Sequence, residues 1–486
     1  INDGGKCKYY IKTLTIDDVI DETTKFALTN YPTLIAVVIP DEKLYCKQYG
    51  FIENENNDLQ LNKLLTYIGN NKKTIVIDGN YNFENDITIH SNITLEFINV
   101  SINSEANVSI NGIIKSDLRK IFDVSGNLNI RRSNNTIGYP EWFGAVCGDG
   151  NMNCENAINL CLTLFPTTIL QGGNYYINDT IYMTTPNTIL KGISNLSGIV
   201  MKNDNKKIMF VGAESKPATV NDFPKYFTVE NIILNRNTLD YLDGSQGLHT
   251  QYVLYSRFKN IKCRESAKNF TINGVVSTKF IDCTSFNTTT AERDSSRTII
   301  GYRITGYEAI GLAGNNASLY IENCNASCGG IIYDNSWGLN ASGNFGLADI
   351  FINKFESNFT KIGIELSGNH LSTGDDIYIT ECVIDAFKEH GIYVHDFKSG
   401  NINISGNYVA PSSQASTPSN FGYRILNFKG NMSLTNNQAV CLSSIYCVPI
   451  SLENCNTIKS ENNMINEAGR AMRIENCSCV QANDIF

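Results

Sequence analysis

The chain is poor in charge, in proline and in long apolar runs. Charged residues make up only 18 % of the 486, which describes a folded chain with few ion pairs rather than a disordered one. The longest clear apolar run, Leu34 to Ile39, ends at Pro40 and is far too short to span a bilayer. No secretory signal is visible at the start, and the chain opens on Ile1 rather than Met, as expected of a trimmed or processed piece. The net charge of -9 leaves no phosphate-neutralising surface, so nucleic acid is excluded as a ligand class. No Cys-x-x-Cys pair exists among the 15 cysteines, and the close pairs lack second halves at zinc spacing. The odd count argues against a disulfide-stapled scaffold and for buried free thiols. Neither a metal nor another cofactor is expected. Proline numbers only 10, against plentiful Asn, Ser, Thr, Gly and Ile, a balance that suits many short strands joined by tight turns.

Repetition is what the chain has instead. Thr74-Ile-Val-Ile-Asp-Gly-Asn-Tyr81 is echoed by Thr168-Ile-Leu-Gln-Gly-Gly-Asn-Tyr175. Before each copy, apolar residues fall at helical spacing: Leu61, Leu64, Leu65 and Ile68, then Ala157, Ile158, Cys161, Leu162 and Phe165. Each unit is expected to be a short helix capping a stack of strands. In the second half the phrase Ile321-Glu-Asn-Cys324 returns as Leu452-Glu-Asn-Cys455 and Ile474-Glu-Asn-Cys477. A second series starts on Gly301, Gly330, Gly363, Gly391 and Gly422, a spacing of about thirty, inside the ~20–50-residue range of repeat architectures. Short strands, Asn/Gly turns and almost no helix select a right-handed parallel β-helix. Alternate side chains then fill the lumen, and small apolar Cys and Ile stack in ladders there.

Pro140-Glu-Trp-Phe-Gly-Ala-Val-Cys-Gly-Asp-Gly150 resembles a signature of the pectate-lyase-like tailspike and depolymerase family, in which it leads into a capping helix and the first coils. The resemblance covers residues 60–486. One departure stands out: Met152-Asn-Cys-Glu155 replaces the usual Thr-Asp-Asp. Asn153 can still cap the helix and Glu155 favours its positive end, so the motif is taken as structural. The resemblance implies a homotrimer and attachment to a phage virion through an N-terminal region, acting extracellularly on a bacterial capsular or O-antigen polysaccharide without entering a membrane. It divides the chain into a neck or linker (1–50), a small β-helix-like unit (51–135) and a main β-helix that binds and cuts (136–486).

Glycan hydrolysis needs two carboxylates, one to give a proton and one to act as base or nucleophile. In the glycine-led series the outward middle positions are Arg303, Ile332, Glu365, Tyr393 and Arg424, and two residues on come Thr305, Asp334, Ser367, His395 and Leu426. On that frame Glu365 and Asp334 lie about 8 Å apart, from coil and strand spacings of ~4.8 and ~3.3 Å. They are the expected acid and base of an inverting hydrolase, with Asp376 a rival. Arg303 and Arg424 are candidates to hold an acidic sugar. Tyr302, Trp337, Tyr393 and Tyr423 are candidate stacking platforms, and His370 and His395 candidate proton carriers. The alternatives are a lyase, and a fibre or adhesin that binds without cutting. No Gly-x-Ser-x-Gly elbow supports an esterase.

Overall fold

The computed structural model of the protein describes residues 9–18, 20, 25–39, 41–203, 206–236, 244–287, 298–305, 317–328, 335–342, 347–368, 373–412, 420–440, 447–466 and 472–485. They fall into two compact units: Ile1–Val146 with Asn156–Ile169, and Cys147–Glu155 with Leu170–Phe486.

The first unit opens with a small antiparallel sheet in which Leu34–Val38 lies between Tyr9–Thr13 and Lys25–Ala27. After it, short parallel strands repeat in three walls. Ile87–Ile89, Val108–Ile110 and Leu128–Ile130 form one. Tyr81–Phe83, Ile102–Ser104 and Phe122–Val124 form another. The third runs from Lys43–Tyr45 through Lys73–Ile77 and Ile93–Phe97 to Ile113–Lys115. The expected helices are there, Asp58–Ile68 and Glu155–Leu164, and bury Leu61, Leu64 and Ile68, and Ala157, Ile158, Cys161 and Leu162. The Pro-Glu-Trp-Phe stretch is a 3-10 turn, Pro140–Phe143. Its Trp142 donates to the Asp117 carbonyl at 2.9 Å and packs edge-on against Tyr139 and Phe165. The motif builds structure.

In the second unit two parallel ladders run the length of the coils. An 11-stranded sheet carries one strand per turn, from Ile181–Met183 to Met472–Glu475. From Val276 to Pro411 a longer sheet carries two strands per turn, as in Ala317–Glu322 with Asn325–Ser327. The two strands of a turn meet at a residue in the left-handed region: Asp282, Asn323, Lys354, Glu381 and Gly406 in successive turns, with φ between 52° and 69°. Asn and Gly tolerate that conformation best, hence the Asn-rich turns.

Inside each such corner sits the next residue, and the choice changes along the stack. Cys283, Cys324 and Cys382 occupy it first, all buried, each thiol bonded to a carbonyl (Cys382 Sγ to Thr380 O, 3.3 Å). Burial pushes the Cys382 thiol up to about 12, so it stays a protonated packing group. Further on, Asn407, Asn437 and Asn463 take over as a buried amide ladder. Asn407 Nδ2 donates to Asn437 Oδ1 at 2.9 Å, and Asn437 Nδ2 to Asn463 Oδ1 at 2.9 Å.

Two details of the repeat differ from the sequence reading. The glycine row of the 11-stranded sheet is Gly301, Gly338, Gly363, Gly391 and Gly422, so Gly338 stands where Gly330 was expected. These glycines admit close stacking: a Cβ on Gly363 would meet the Gly391 carbonyl at 2.7 Å. The Ile/Leu-Glu-Asn-Cys phrase marks two different corners. Cys324 turns within the long sheet, whereas Cys455 and Cys477 follow strands of the 11-stranded one. The phrase encodes a bend, with its Asn at φ 52–56° in all three copies.

Candidate active site

Strict alternation on the 11-stranded sheet sends Ile304, Ala341, Leu366, Val394, Ile425 and Leu452 inward, all buried. The residue before each therefore points outward. Parallel register stacks Arg303, Asn340, Glu365, Tyr393, Arg424 and Ser451 in one row. Two residues on, Thr305, Ser342, Ser367, His395, Leu426 and Glu453 form the neighbouring row. Arg303, Glu365 and Arg424 do share a face.

Glu365 is the centre of this wall. One carboxylate oxygen accepts from the Asn340 amide and the other meets His395 Nε2 at 3.0 Å. The far nitrogen of His395, Nδ1, lies 2.7 Å from Asp396 Oδ2. The side chains of Glu365 and His395 are only 13 % and 16 % exposed, so the pair is shielded from water yet reachable. Burial alone works to lower the His395 pKa; the two carboxylates outweigh it and raise it. With a carboxylate at each nitrogen, the doubly protonated ring satisfies both contacts at once.

Asp396 is held by geometry as well. It sits at a corner with φ 63° and accepts from Asn427 Nδ2 at 2.8 Å, and Asn427 in turn accepts from Asn454. An outer corner row of Asn thus begins with one Asp, and that exchange of amide for carboxylate orients the histidine. Arg303 donates to Ser342 Oγ at 2.9 Å. Burial lowers its pKa while the charge of Glu365 opposes the shift.

Around Tyr393 the wall is aromatic and cationic. The ring stacks on His395 at 4.2 Å, and the Arg424 guanidinium lies 5.4 Å from the Tyr393 centroid and 4.8 Å from that of Phe421. Arg424 also approaches His390 Nε2 at 3.4 Å and Glu453 Oε1 at 3.6 Å. Burial, then the Arg424 charge, push His390 down to about 3, so it is neutral wherever the protein is folded near pH 7.

Of the residues singled out from sequence, Arg303, Glu365, Tyr393, His395 and Arg424 come together here. Asp334 and His370 lie outside the described residues, and the row position argued for Asp334 belongs to Ser342. Asp376 is exposed on the other, longer sheet and is not part of this group. Tyr302 and Tyr423 are corrections. At 0 % and 1 % exposure they fill the lumen and present no ring to a sugar; Tyr302 donates to the Cys283 carbonyl at 2.7 Å. They were candidates as aromatic rings, but the glycine frame that turns Arg303 and Arg424 outward turns the residue after each glycine in. Tyr302→Phe is therefore expected to cost ~1 kcal/mol of stability with glycan affinity unchanged, measured by denaturant unfolding beside a binding titration. Tyr393 braces His395 and Arg424 rather than offering a free face. Trp337 is half-buried in register with Ile300 and Ile362, and its indole N–H has no partner.

Asn340, His390, Asp396 and Glu453 were missed. Asp396 had a signal: Asp396-Phe-Lys398 aligns with Asn427-Phe-Lys429 one coil later, and the mismatch marks the carboxylate in a corner row of amides. Asn340 needed the correct glycine.

No protein-family model and no curated protein matches the chain. Solved structures do match. The gp42 tailspike of Acinetobacter phage vb_AbaP_AS12 superposes with a TM-score of 0.52 at 13 % identity, over 71 % of this chain and 63 % of that one. The chain is a parallel β-helix. It spans less than two thirds of that tailspike's length. DFA-IIIase from Arthrobacter chlorophenolicus A6, in complex with GF2, superposes with a TM-score of 0.50 at 12 % identity, over 69 % of this chain and 89 % of that one. Likeness at such identities speaks for architecture; function follows from the side chains the fold presents.

Proposed function

We propose that this wall binds and hydrolyses a bacterial surface polysaccharide, as the depolymerase part of a phage tailspike that works as a homotrimer. The observation that carries the reading is the Glu365–His395–Asp396 constellation, nearly dry and set among Asn340, Arg303 and Arg424. The His395 imidazolium hands its Nε2 proton to Glu365, and Glu365 protonates the glycosidic oxygen as the C–O bond breaks; water adds to the anomeric carbon, and the proton it loses restores the imidazolium, whose ring Asp396 holds. The two arginines favour an acidic repeat. A fold shared with a phage tailspike supports the tailspike setting of this reading.

Hydrolysis is preferred to β-elimination for a physical reason. A histidine kept charged by two carboxylates holds its proton over a wider pH range and is seldom in the neutral form that abstraction of a carbon-bound proton needs. Its sign in pH is fixed: a raised pKa means that the stabilising contacts are complete below about pH 6.5, the unfolded value, and are lost as pH rises through the folded one. The rate should follow the same alkaline limb. Asp396→Asn removes one of the two carboxylates and is expected to move that limb to lower pH, read from the pH dependence of reducing-end release. An unmoved limb would exclude His395 as the titrating group. Absorbance from an unsaturated product would replace hydrolysis with elimination.

A further inference from the structure

On the long sheet, a row of side chains faces away from the lumen in strict register: Lys279, Tyr320, Phe351, Tyr378, Asn403, Ser433 and Lys459. Its middle is a column of rings. Tyr320 and Phe351 stack at 4.7 Å with planes 8° apart, and Phe351 and Tyr378 at 5.1 Å with planes 3° apart. Lys279 closes the near end, its ammonium 4.7 Å from the Tyr320 centroid. Nothing aromatic closes the far end. The next position is Asn403, then Ser433.

That change from ring to short polar side chain makes a step. The column rises with the coils, about 4.8 Å per turn, so the missing ring leaves a ledge one storey high over Tyr378, which is 37 % exposed. A groove of about 440 Å³ lies there, lined by Tyr378, Asn401, Asn403, Asn431, Ser433 and Thr457 among others. Its volume falls within the ~300–1,000 Å³ usual for small-molecule sites. One wall is the open face of a tyrosine; the exposed lining is more apolar than polar, with the amides of Asn401, Asn403 and Asn431 and the hydroxyls of Ser433 and Thr457 set around it. The Asn403 amide oxygen is buried with no hydrogen-bond partner among the described residues, and a half-turn of that amide exchanges donor for acceptor without altering its shape.

We propose that this ledge is a second carbohydrate subsite, taking a pyranose ring flat on Tyr378 with its hydroxyls met by Asn403, Asn431 and Ser433. A sugar matches both halves of the groove: its C–H face packs on an aromatic ring, as the stacked tyrosine requires, and its rim offers donors and acceptors at once, as the amides require. An apolar protein segment would leave the Asn403 amide unpaired. The subsite lies on a different sheet from Glu365, so it binds the polymer without taking part in cleavage. It rests on the polysaccharide reading for its substrate class, but not on the chemistry assigned to Glu365.

The test is an array of purified bacterial capsular and O-antigen polysaccharides probed with the full chain, in four forms: wild type, Glu365→Gln, Tyr378→Ala and Asn403→Tyr. Asn403→Tyr is the discriminating variant. It extends the ring column by one storey, filling the ledge while leaving the existing stack in place, so loss of binding in a protein of unchanged melting temperature is not a folding artefact. The two ledge variants are expected to lose about tenfold or more in affinity, and Glu365→Gln to lose cleavage. Full affinity in Asn403→Tyr overturns the subsite while leaving the polysaccharide reading intact. Binding by wild type to no polysaccharide overturns both. Ledge-dependent binding without cleavage by wild type supports the subsite and overturns the enzymatic reading alone.

Discussion

Glu365→Gln is expected to lower polysaccharide cleavage by about 10²–10⁴-fold, the usual contribution of a positioned proton-transfer group, with binding of the polymer retained. Gln keeps the length and shape of Glu, so the change removes a proton-transfer site rather than a packing element. It also removes the negative charge facing His395 Nε2, one of the two that hold the imidazolium. A second signature follows: the His395 pKa should fall, measurable by the pH dependence of its ring resonances. Residual activity within a few-fold of wild type would take Glu365 out of the mechanism whatever the histidine does.

Asn437→Ala is expected to be the most damaging single change in the stack that touches neither site. Its amide donates to the Ile404 carbonyl at 2.9 Å and to Asn463 Oδ1 at 2.9 Å. Its oxygen accepts from the Asn407 backbone N–H at 3.0 Å and from Asn407 Nδ2 at 2.9 Å. Truncation leaves the Asn407 backbone N–H and one N–H of its side-chain amide without these acceptors in a buried corner, and takes a donor from the Ile404 carbonyl. At ~1–3 kcal/mol for each unsatisfied group, the cost is about 3 kcal/mol or more. The exposed Asn483→Ala, by contrast, should stay within about 0.5 kcal/mol. Because solenoids can melt coil by coil, amide hydrogen exchange is the suitable readout. Protection should be lost first around Asn407, Asn437 and Asn463, and a uniform loss along both ladders would contradict a local role for the amides.

The parts of the fold that repeat were legible in the sequence. Periodic apolar residues marked both helices, and the spacing of glycine-led strands marked the coil. What failed was phase. Gly330 and Gly338 each begin a plausible strand, and only hydrogen-bonded register chooses Gly338; that slip put Ile332 in the place of Asn340 and Asp334 in the place of Ser342. In the same way Tyr302 and Tyr423 follow glycines and look available, yet the alternation that makes Arg303 and Arg424 face outward forces those tyrosines into the lumen. The candidate site was half legible for a related reason. Glu365 and His395 fell in adjacent outward rows of the frame. Asp396 lies at a corner, where side-chain direction depends on a left-handed backbone rather than on strand alternation, and counting along a strand cannot reach it. The second row on the long sheet was missed because Tyr320, Phe351 and Tyr378 are far apart in sequence and meet only through stacking.

The most direct test of the central claim, that the Glu365–His395–Asp396 wall cuts the glycan it binds, is the appearance of new reducing ends on a bacterial surface polysaccharide held by the wild-type protein. The expected result is progressive shortening with no unsaturated chromophore, abolished in Glu365→Gln. Tight binding by wild type with the chain length of the polymer unchanged would contradict it, and leave the coil as an adhesive fibre.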